Sequence, residues 1–192
     1  MKRIGILGGT FDPPHLGHLI MAECAYEGME LDEVWFLPSH IPPHKQKATV
    51  SSEDRLAMVK KAIENNPHFS ICDVELTRKG TSYTVDTMKL LKEEYQGHQF
   101  YFIIGGDMVE HLPKWNRIEE LKEYVEFIGM QRPGFQWEQD QSDSVHEVNI
   151  PLIEISSSVI REKLAKQESV RYLTPDAVID YIKEHQLYEP NS

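Results

Sequence analysis

Short apolar runs alternate along this chain with stretches whose apolar positions recur every three to four residues. Arg3–Leu7, Glu33–Leu37, Phe69–Leu76, Phe100–Ile104, Val125–Met130 and Glu147–Ile155 read as strands. The helical spacing runs from Leu16 to about Tyr26, and over Thr84–Tyr95 with Val85, Met88 and Leu91 in register. Another helix, capped by Ser51 or Ser52, carries Leu56, Val59 and Ile63 on one face. A helix follows the serines at 156–158 to about Lys166. Thr174-Pro175-Asp176 opens the last one, with Thr as cap, Pro in the first turn and Asp at the positive end. That helix runs to His185 with Val178, Tyr181 and Ile182 on one face. Strand and helix taking turns predict an α/β fold: a Rossmann-like open, mostly parallel sheet with helices on both faces. The expectation is a single domain over 1–192 with a small helical C-terminal piece from about 156. Phe100–Ile104, apolar throughout, reads as a central strand buried on both faces.

Segments dense in Gly, Ser, Thr, His or Pro follow the predicted strands: Gly8–His15, Pro38–Lys47, Thr77–Thr84, Gly105–Asp107, Arg132–Gly134 and Ser156–Ser158. In an open α/β sheet the carboxyl ends of the strands border the ligand crevice, so these segments converge on one edge. Composition then narrows the ligand. The 192 residues are 40% hydrophobic and 27% charged with mean hydropathy −0.46, which excludes a mainly disordered chain. The longest apolar run, Phe100–Ile104, is far short of the ~20 residues of a membrane span. Lys2 and Arg3 give way to glycine before the apolar core of a signal peptide forms. Cys24 and Cys72 are isolated, which points to a reducing, cytoplasmic setting. Lys plus Arg total 20 against 31 Asp plus Glu, a net charge of −11, and no basic run would grip a nucleic-acid backbone. If the partner is an anion, the positive charge is focal. Four of the nine histidines lie between His15 and His44, with Lys45 and Lys47 just after.

The sharpest motif is Gly8-Gly9-Thr10-Phe11-Asp12-Pro13-Pro14-His15-Leu16-Gly17-His18, joining the first strand to the first helix. Gly8 and Gly9 allow a tight turn and close approach of a ligand. His15 and His18, three apart at a helix start, share one face, and the helix N-terminus favours an anion. Gly17 leaves room for a bulky group against the helix. The lysine of a Walker A loop is missing, and so are the G-x-G-x-x-G spacing and acidic residue of a dinucleotide fingerprint. A His-x-x-His metal pair has no evident third ligand. The second motif, Ile155-Ser156-Ser157-Ser158-Val159-Ile160-Arg161, again places serines at a helix start, with Arg161 one turn along to clasp phosphate oxygens.

Together, G-G-T-F-D-P-P-H-x-G-H and I-S-S-S-x-I-R resemble the nucleotidyltransferase α/β phosphodiesterase superfamily, and within it the bacterial nicotinate mononucleotide adenylyltransferases. The resemblance runs from Arg3 to the last helix, and includes Ser82–Thr87 and Gly105-Gly106-Asp107 through Trp115. It implies transfer of AMP from ATP to nicotinate mononucleotide, with Mg²⁺ carried on the ATP phosphates and no metal ligands of the protein's own. It assigns His15, His18 and Arg161 to catalysis, and Gly8, Gly9, Thr10, Phe11, Gly105, Asp107, Ile155, Ser156 and Ser157 with Arg161 to ATP. His40, Lys45, Tyr83, Thr84, Trp115 and Arg132 fall to the acceptor: Lys45 for its phosphate, Thr84 for its carboxylate, Trp115 for its ring. Read without the resemblance, Asp107, after two glycines at a strand end, is a ligand for ribose hydroxyls ahead of a helix cap, and Trp115 has core packing as the alternative to ring stacking. The rival readings are the same chemistry on nicotinamide mononucleotide or phosphopantetheine, a non-catalytic nucleotide sensor, and a metal hydrolase. The expected partners are these nucleotides, with neither nucleic acid nor membrane; homo-oligomerisation is left open.

Overall fold

The computed structural model describes residues 1–40, 48–78, 80–81, 83–134 and 145–190. Six strands form one all-parallel sheet: β1 (Lys2–Gly9), β2 (Glu33–Pro38), β3 (Phe69–Ile71), β4 (His98–Gly105), β5 (Val125–Gln131) and β6 (Val145–Asn149). Their order, β3-β2-β1-β4-β5-β6, reverses direction between β1 and β4, so the carboxyl ends of those two strands flank the switch-point crevice. Successive side chains on a strand point to opposite faces, and the core splits accordingly. Ile4, Ile6, Phe100, Phe102, Ile104 and Phe127 pack on one face with Val85, Met88 and Leu91 of α4 (Thr84–Glu94). Leu7, Tyr101, Ile103, Ile128 and Met130 pack on the other with Ala22 and Ala25 of α1 (Leu16–Gly28) and Val59 and Ile63 of α2 (Ser52–Ile63). The expected α/β architecture and the twice-buried central strand are both observed.

Three boundaries differ from the sequence-based expectation. β3 ends at Ile71, and Val74–Leu76, apolar enough for a strand, belong to a short helix, α3 (Val74–Arg78). The ladder's last rung there is Cys72 N–H to Phe36 O, after which Glu75 turns inward to a side-chain partner. β6 starts and stops earlier than Glu147–Ile155, because Ile150 N–H closes the ladder on Gln131 O and Pro151 has no N–H to extend it. Ile155 and Ser156 therefore sit on irregular chain rather than at a strand end. Ser51 caps α2 as expected, accepting from Asp54 N, but Thr174 caps nothing and is drawn away to the first loop.

Beyond β4 come three one-turn pieces: α5 (Gly106–Val109), a 3₁₀ turn (Leu112–Lys114) and α6 (Ile118–Leu121). The last two helices are α7 (Ser157–Ala165) and α8 (Asp176–Glu184). α8 lays Val178 and Ile182 on Met58 of α2, with Tyr188 beside them, while Ile179 meets Ile160 of α7. This packing brings the C-terminal segment back against the loop that leaves β1.

Candidate active site

The loop between β1 and α1 is held at almost every backbone carbonyl. Arg55 Nη1 donates to Thr10 O (2.7 Å), Arg161 Nη1 to Asp12 O (2.7 Å), Ser157 Oγ to Pro13 O (2.7 Å) and Thr174 Oγ1 to Pro14 O (2.8 Å). Pro13 and Pro14 offer no N–H, so the loop has no ladder of its own, and side chains from α2, α7 and the α7–α8 connection take its place. The Asp12 carboxylate, 5% exposed, points inward and accepts from Thr49 N (2.7 Å) and the Tyr188 hydroxyl (2.7 Å). Burial, and then the bond to Asp12, push the Tyr188 phenol far above its ordinary range, so it stays a donor. Phe11 takes a left-handed conformation (φ 52°), a cost of about 1–2 kcal/mol for a residue with a Cβ. Its buried ring, wedged against Phe36 and the edge of His18, holds it there.

His15 and His18 stand at the start of α1 with their rings stacked, centroids 3.7 Å apart. The His15 backbone N–H donates to His18 Nδ1 (3.1 Å), so that nitrogen carries a lone pair and the ring proton sits on Nε2. Burial lowers the His15 pKa to about 4, and its imidazole is neutral at neutral pH. A Cβ on Gly17 would lie 3.0 Å from Cε1 and Nδ1 of the His15 ring. The bulky group that Gly17 admits is thus His15 itself. The helix start is less open than its sequence suggests: Leu16 N–H is taken by Leu173 O and His15 N–H by His18.

The two motifs meet. Ser157 and Arg161 touch the first loop directly, and the carbonyl of Ile155 passes 3.7 Å from the Cβ position of Gly17. In doing so, side chains expected to face phosphate hold the protein as well: Ser156 Oγ caps α7 by accepting from Val159 N, Ser157 Oγ is spent on Pro13, and one Arg161 nitrogen is spent on Asp12. Gly8 and Gly9 end β1; a Cβ there would lie 3.1 Å from the Phe102 ring and 3.0 Å from that of Phe11. Gly105 ends the neighbouring β4 across the switch point, and Asp107 follows, exposed, in the first turn of α5.

The other expected residues gather on the β2 and β5 sides. His40, just past β2, bonds through Nδ1 to Gly80 O (3.2 Å), joining the loop after β2 to the approach to α4. Tyr83 and Thr84 start α4, where Thr87 Oγ1, wholly buried, donates to Glu75 Oε1 (2.8 Å) and accepts from Arg78 Nη2 (3.1 Å). Trp115 is half-buried, edge-on to Phe102 and Phe127, so core packing accounts for part of its surface. Arg132 is exposed just past β5. Lys45 lies outside the described residues, as does most of the loop expected over 132–144. Among the described residues no three His, Cys, Asp or Glu side chains form a metal-ligating group. No helix among them is long and apolar enough to cross a membrane.

Sequence reasoning missed Arg55, Asp12, Thr174 and Tyr188 as builders of this site. One signal was available. Arg55 precedes Met58 and Val59 by three and four residues, on the face where α2 otherwise turns apolar side chains inward, and a charge there asks for a buried partner.

The chain belongs to the cytidylyltransferase-like family, whose model matches residues 6–163. Its relatives narrow the comparison further. A protein of Oceanobacillus iheyensis named "Probable nicotinate-nucleotide adenylyltransferase" is 54% identical over 188 residues, covering 98% of this chain and 97% of that one. One of the same name from Shouchella clausii is 51% identical, with both chains covered in full. Among solved structures, the nicotinic acid mononucleotide adenylyltransferase of Plasmodium falciparum complexed with NaAD superposes with a TM-score of 0.84 at 25% identity, over 100% of this chain and 99% of that one.

Proposed function

We propose that this chain transfers AMP from ATP to nicotinate mononucleotide, releasing pyrophosphate and forming nicotinate adenine dinucleotide, a step of NAD biosynthesis. The observation that carries the reading is the contact between the two motif loops at the sheet's switch point, Ser157 to Pro13 and Arg161 to Asp12. That contact ties the segment carrying His15 and His18 to the helix carrying Arg161, which supports their acting on one chain of phosphates. In the reaction a phosphate oxygen of the mononucleotide attacks the α-phosphorus of ATP. The new O–P bond forms in line as the bond to the β-phosphate oxygen breaks, and pyrophosphate leaves. The nucleophile is already an anion, so no general base is required, and catalysis rests on alignment and on neutralising charge.

His18 is suited to the transferred phosphate. Its Nδ1 is held by the His15 N–H, so Nε2–H is a fixed, neutral donor that needs no reorganisation as charge develops. His15 supports that ring by stacking and lies beside it on the phosphates. Arg161, whose Nη1 is spent on Asp12 and whose Nη2 reaches Ser158 Oγ (3.4 Å), serves the β- and γ-phosphates with its remaining N–H groups, the start of α7 behind it. Gly105, the last residue of β4, and Asp107, in the first turn of α5, are assigned to the nucleotide's ribose. Mg²⁺ enters as part of the Mg–ATP substrate, since both oxygens of Asp12, the loop's only carboxylate, are engaged within the protein. His40, Tyr83, Thr84, Trp115 and Arg132 are assigned to the acceptor, with Thr84 for the nicotinate carboxylate. Two unpaired cysteines, Cys24 and Cys72, suit a reducing cytoplasm.

The test is pyrophosphate release with ATP and each of three acceptors: nicotinate mononucleotide, nicotinamide mononucleotide and phosphopantetheine. The acid should be preferred, and His18→Ala should lose about 10²–10³-fold in kcat, as removal of one transition-state donor does. A preference for the amide, or an undiminished His18→Ala enzyme, would overturn the reading.

A further inference from the structure

Arg55 is 1% exposed, in the first turn of α2, and its contacts go to two different loops. Nη1 donates both to Thr10 O (2.7 Å) and to Ser39 O (2.8 Å), while Nη2 donates to Ser52 Oγ (3.1 Å). Thr10 opens the loop that carries His15 and His18. Ser39 opens the loop that carries His40, which in turn meets Gly80 on the approach to Tyr83 and Thr84. The last ladder rung between these strands is Ser39 N–H to Gly9 O (2.9 Å), and past it the two chains part, with the guanidinium between their carbonyls.

Burying a guanidinium costs several kcal/mol unless it is well paired, and a leucine would fill this position on the apolar face of α2 without that cost. Such a replacement would leave the carbonyls of Thr10 and Ser39 without this donor beneath the crevice. Asp12, buried in the same loop, supplies the opposite charge.

We propose that Arg55 is a positioning residue for adenylyl transfer: by holding Thr10 and Ser39 to one nitrogen, it sets the distance between the nucleotide-donor half of the site and the acceptor half. The inference rests on the proposed reaction. Arg55 reaches substrate only through the backbone of two loops, so its loss misaligns two reactants that each still bind. A misplacement of about 1 Å costs up to about 100-fold in rate when alignment supplies much of the acceleration.

The experiment compares the full-length protein with Arg55→Lys, which keeps the charge but replaces the guanidinium by one ammonium nitrogen on a shorter side chain, and with Ser52→Ala, which frees Nη2 alone. Calorimetry gives the Kd of ATP alone and of nicotinate mononucleotide alone; pyrophosphate release gives kcat; thermal unfolding gives the folded fraction. For Arg55→Lys we expect a kcat loss of about 10- to 100-fold with each separate Kd within about threefold, and for Ser52→Ala a smaller loss with the same split. The proposal is overturned if kcat is unchanged, or if kcat falls only in parallel with separate binding or folded fraction. Should Arg55→Lys fail to fold, Ser52→Ala decides by the same criteria. An unmodified protein that releases no pyrophosphate overturns the reaction itself, whereas an active one whose variants lack the split overturns only the role of Arg55.

Discussion

The loop leaving β1 and the segment leading into α4 are held in different ways. Around the first loop the fastening residues lie far off in sequence: 45 positions from Thr10 to Arg55, 144 from Pro13 to Ser157, 160 from Pro14 to Thr174 and 176 from Asp12 to Tyr188. Around α4 the buried bonds lie close by, Thr87 being 4 positions from Tyr83, 9 from Arg78 and 12 from Glu75, while the longer-range ties, His40 to Gly80 and Arg117 to Asp86, are exposed. The loop leaving β1 is thus assembled by the whole chain, including the segment after α8, whereas the buried polar cluster at the start of α4 is built from its own neighbourhood. Phe11 makes the consequence visible. A residue with a Cβ stays at φ 52° because distant elements hold it there.

The largest expected effect that tests this contrast is on stability in acid. His15 titrates near 4 when folded and near 6.5 when unfolded, because burial disfavours its charged form. Between those pH values the unfolded chain binds a proton that the folded one does not. Stability therefore falls as pH drops from 6.5 to 4, by on the order of 3 kcal/mol for this one group. Urea midpoints for the protein and His15→Asn at pH 7 and pH 4.5 check it; equal slopes in the two proteins would show that His15 is not the proton-linked group.

Next come paired deletions, one on each side. Tyr188→Phe removes a donor from buried Asp12, and Thr87→Val leaves Glu75 and Arg78 short of a partner. Each should cost about 1–3 kcal/mol of stability. If the two sides are independently built, Tyr188→Phe raises the KM for ATP and leaves that for nicotinate mononucleotide, while Thr87→Val does the reverse. Both constants rising together in both variants would abolish the distinction.

The smallest and sharpest test is Gly17→Ala. Alanine favours a helix over glycine by about 1 kcal/mol, so the Tm should hold or rise. The added Cβ presses on the His15 ring, and through the stack on His18, so kcat should fall by about tenfold. An alanine variant of full activity would mean that the histidine stack has room to spare.

Much of this architecture can be read from periodicity alone, because strands buried on both faces and amphipathic helices are local patterns. Phe100–Ile104 as the central strand and Val85, Met88 and Leu91 as the buried face of α4 follow from neighbours within a few residues. The helix starts in the histidine and serine motifs are legible in the same way, at Leu16 and at Ser157, although no strand runs up to the serines. Where local pattern and long-range demand compete, the long-range partner wins. Val74–Leu76 leave the sheet for a helix as Glu75 meets Thr87, and Thr174 abandons a cap for the carbonyl of Pro14. That Ser157 and Arg161 grip the first loop, and that Arg55 bonds the loops after β1 and β2, depend on contacts between residues 16 to 149 positions apart. A buried polar group takes whichever partner the packed chain brings within reach, and nothing in its immediate sequence names that partner.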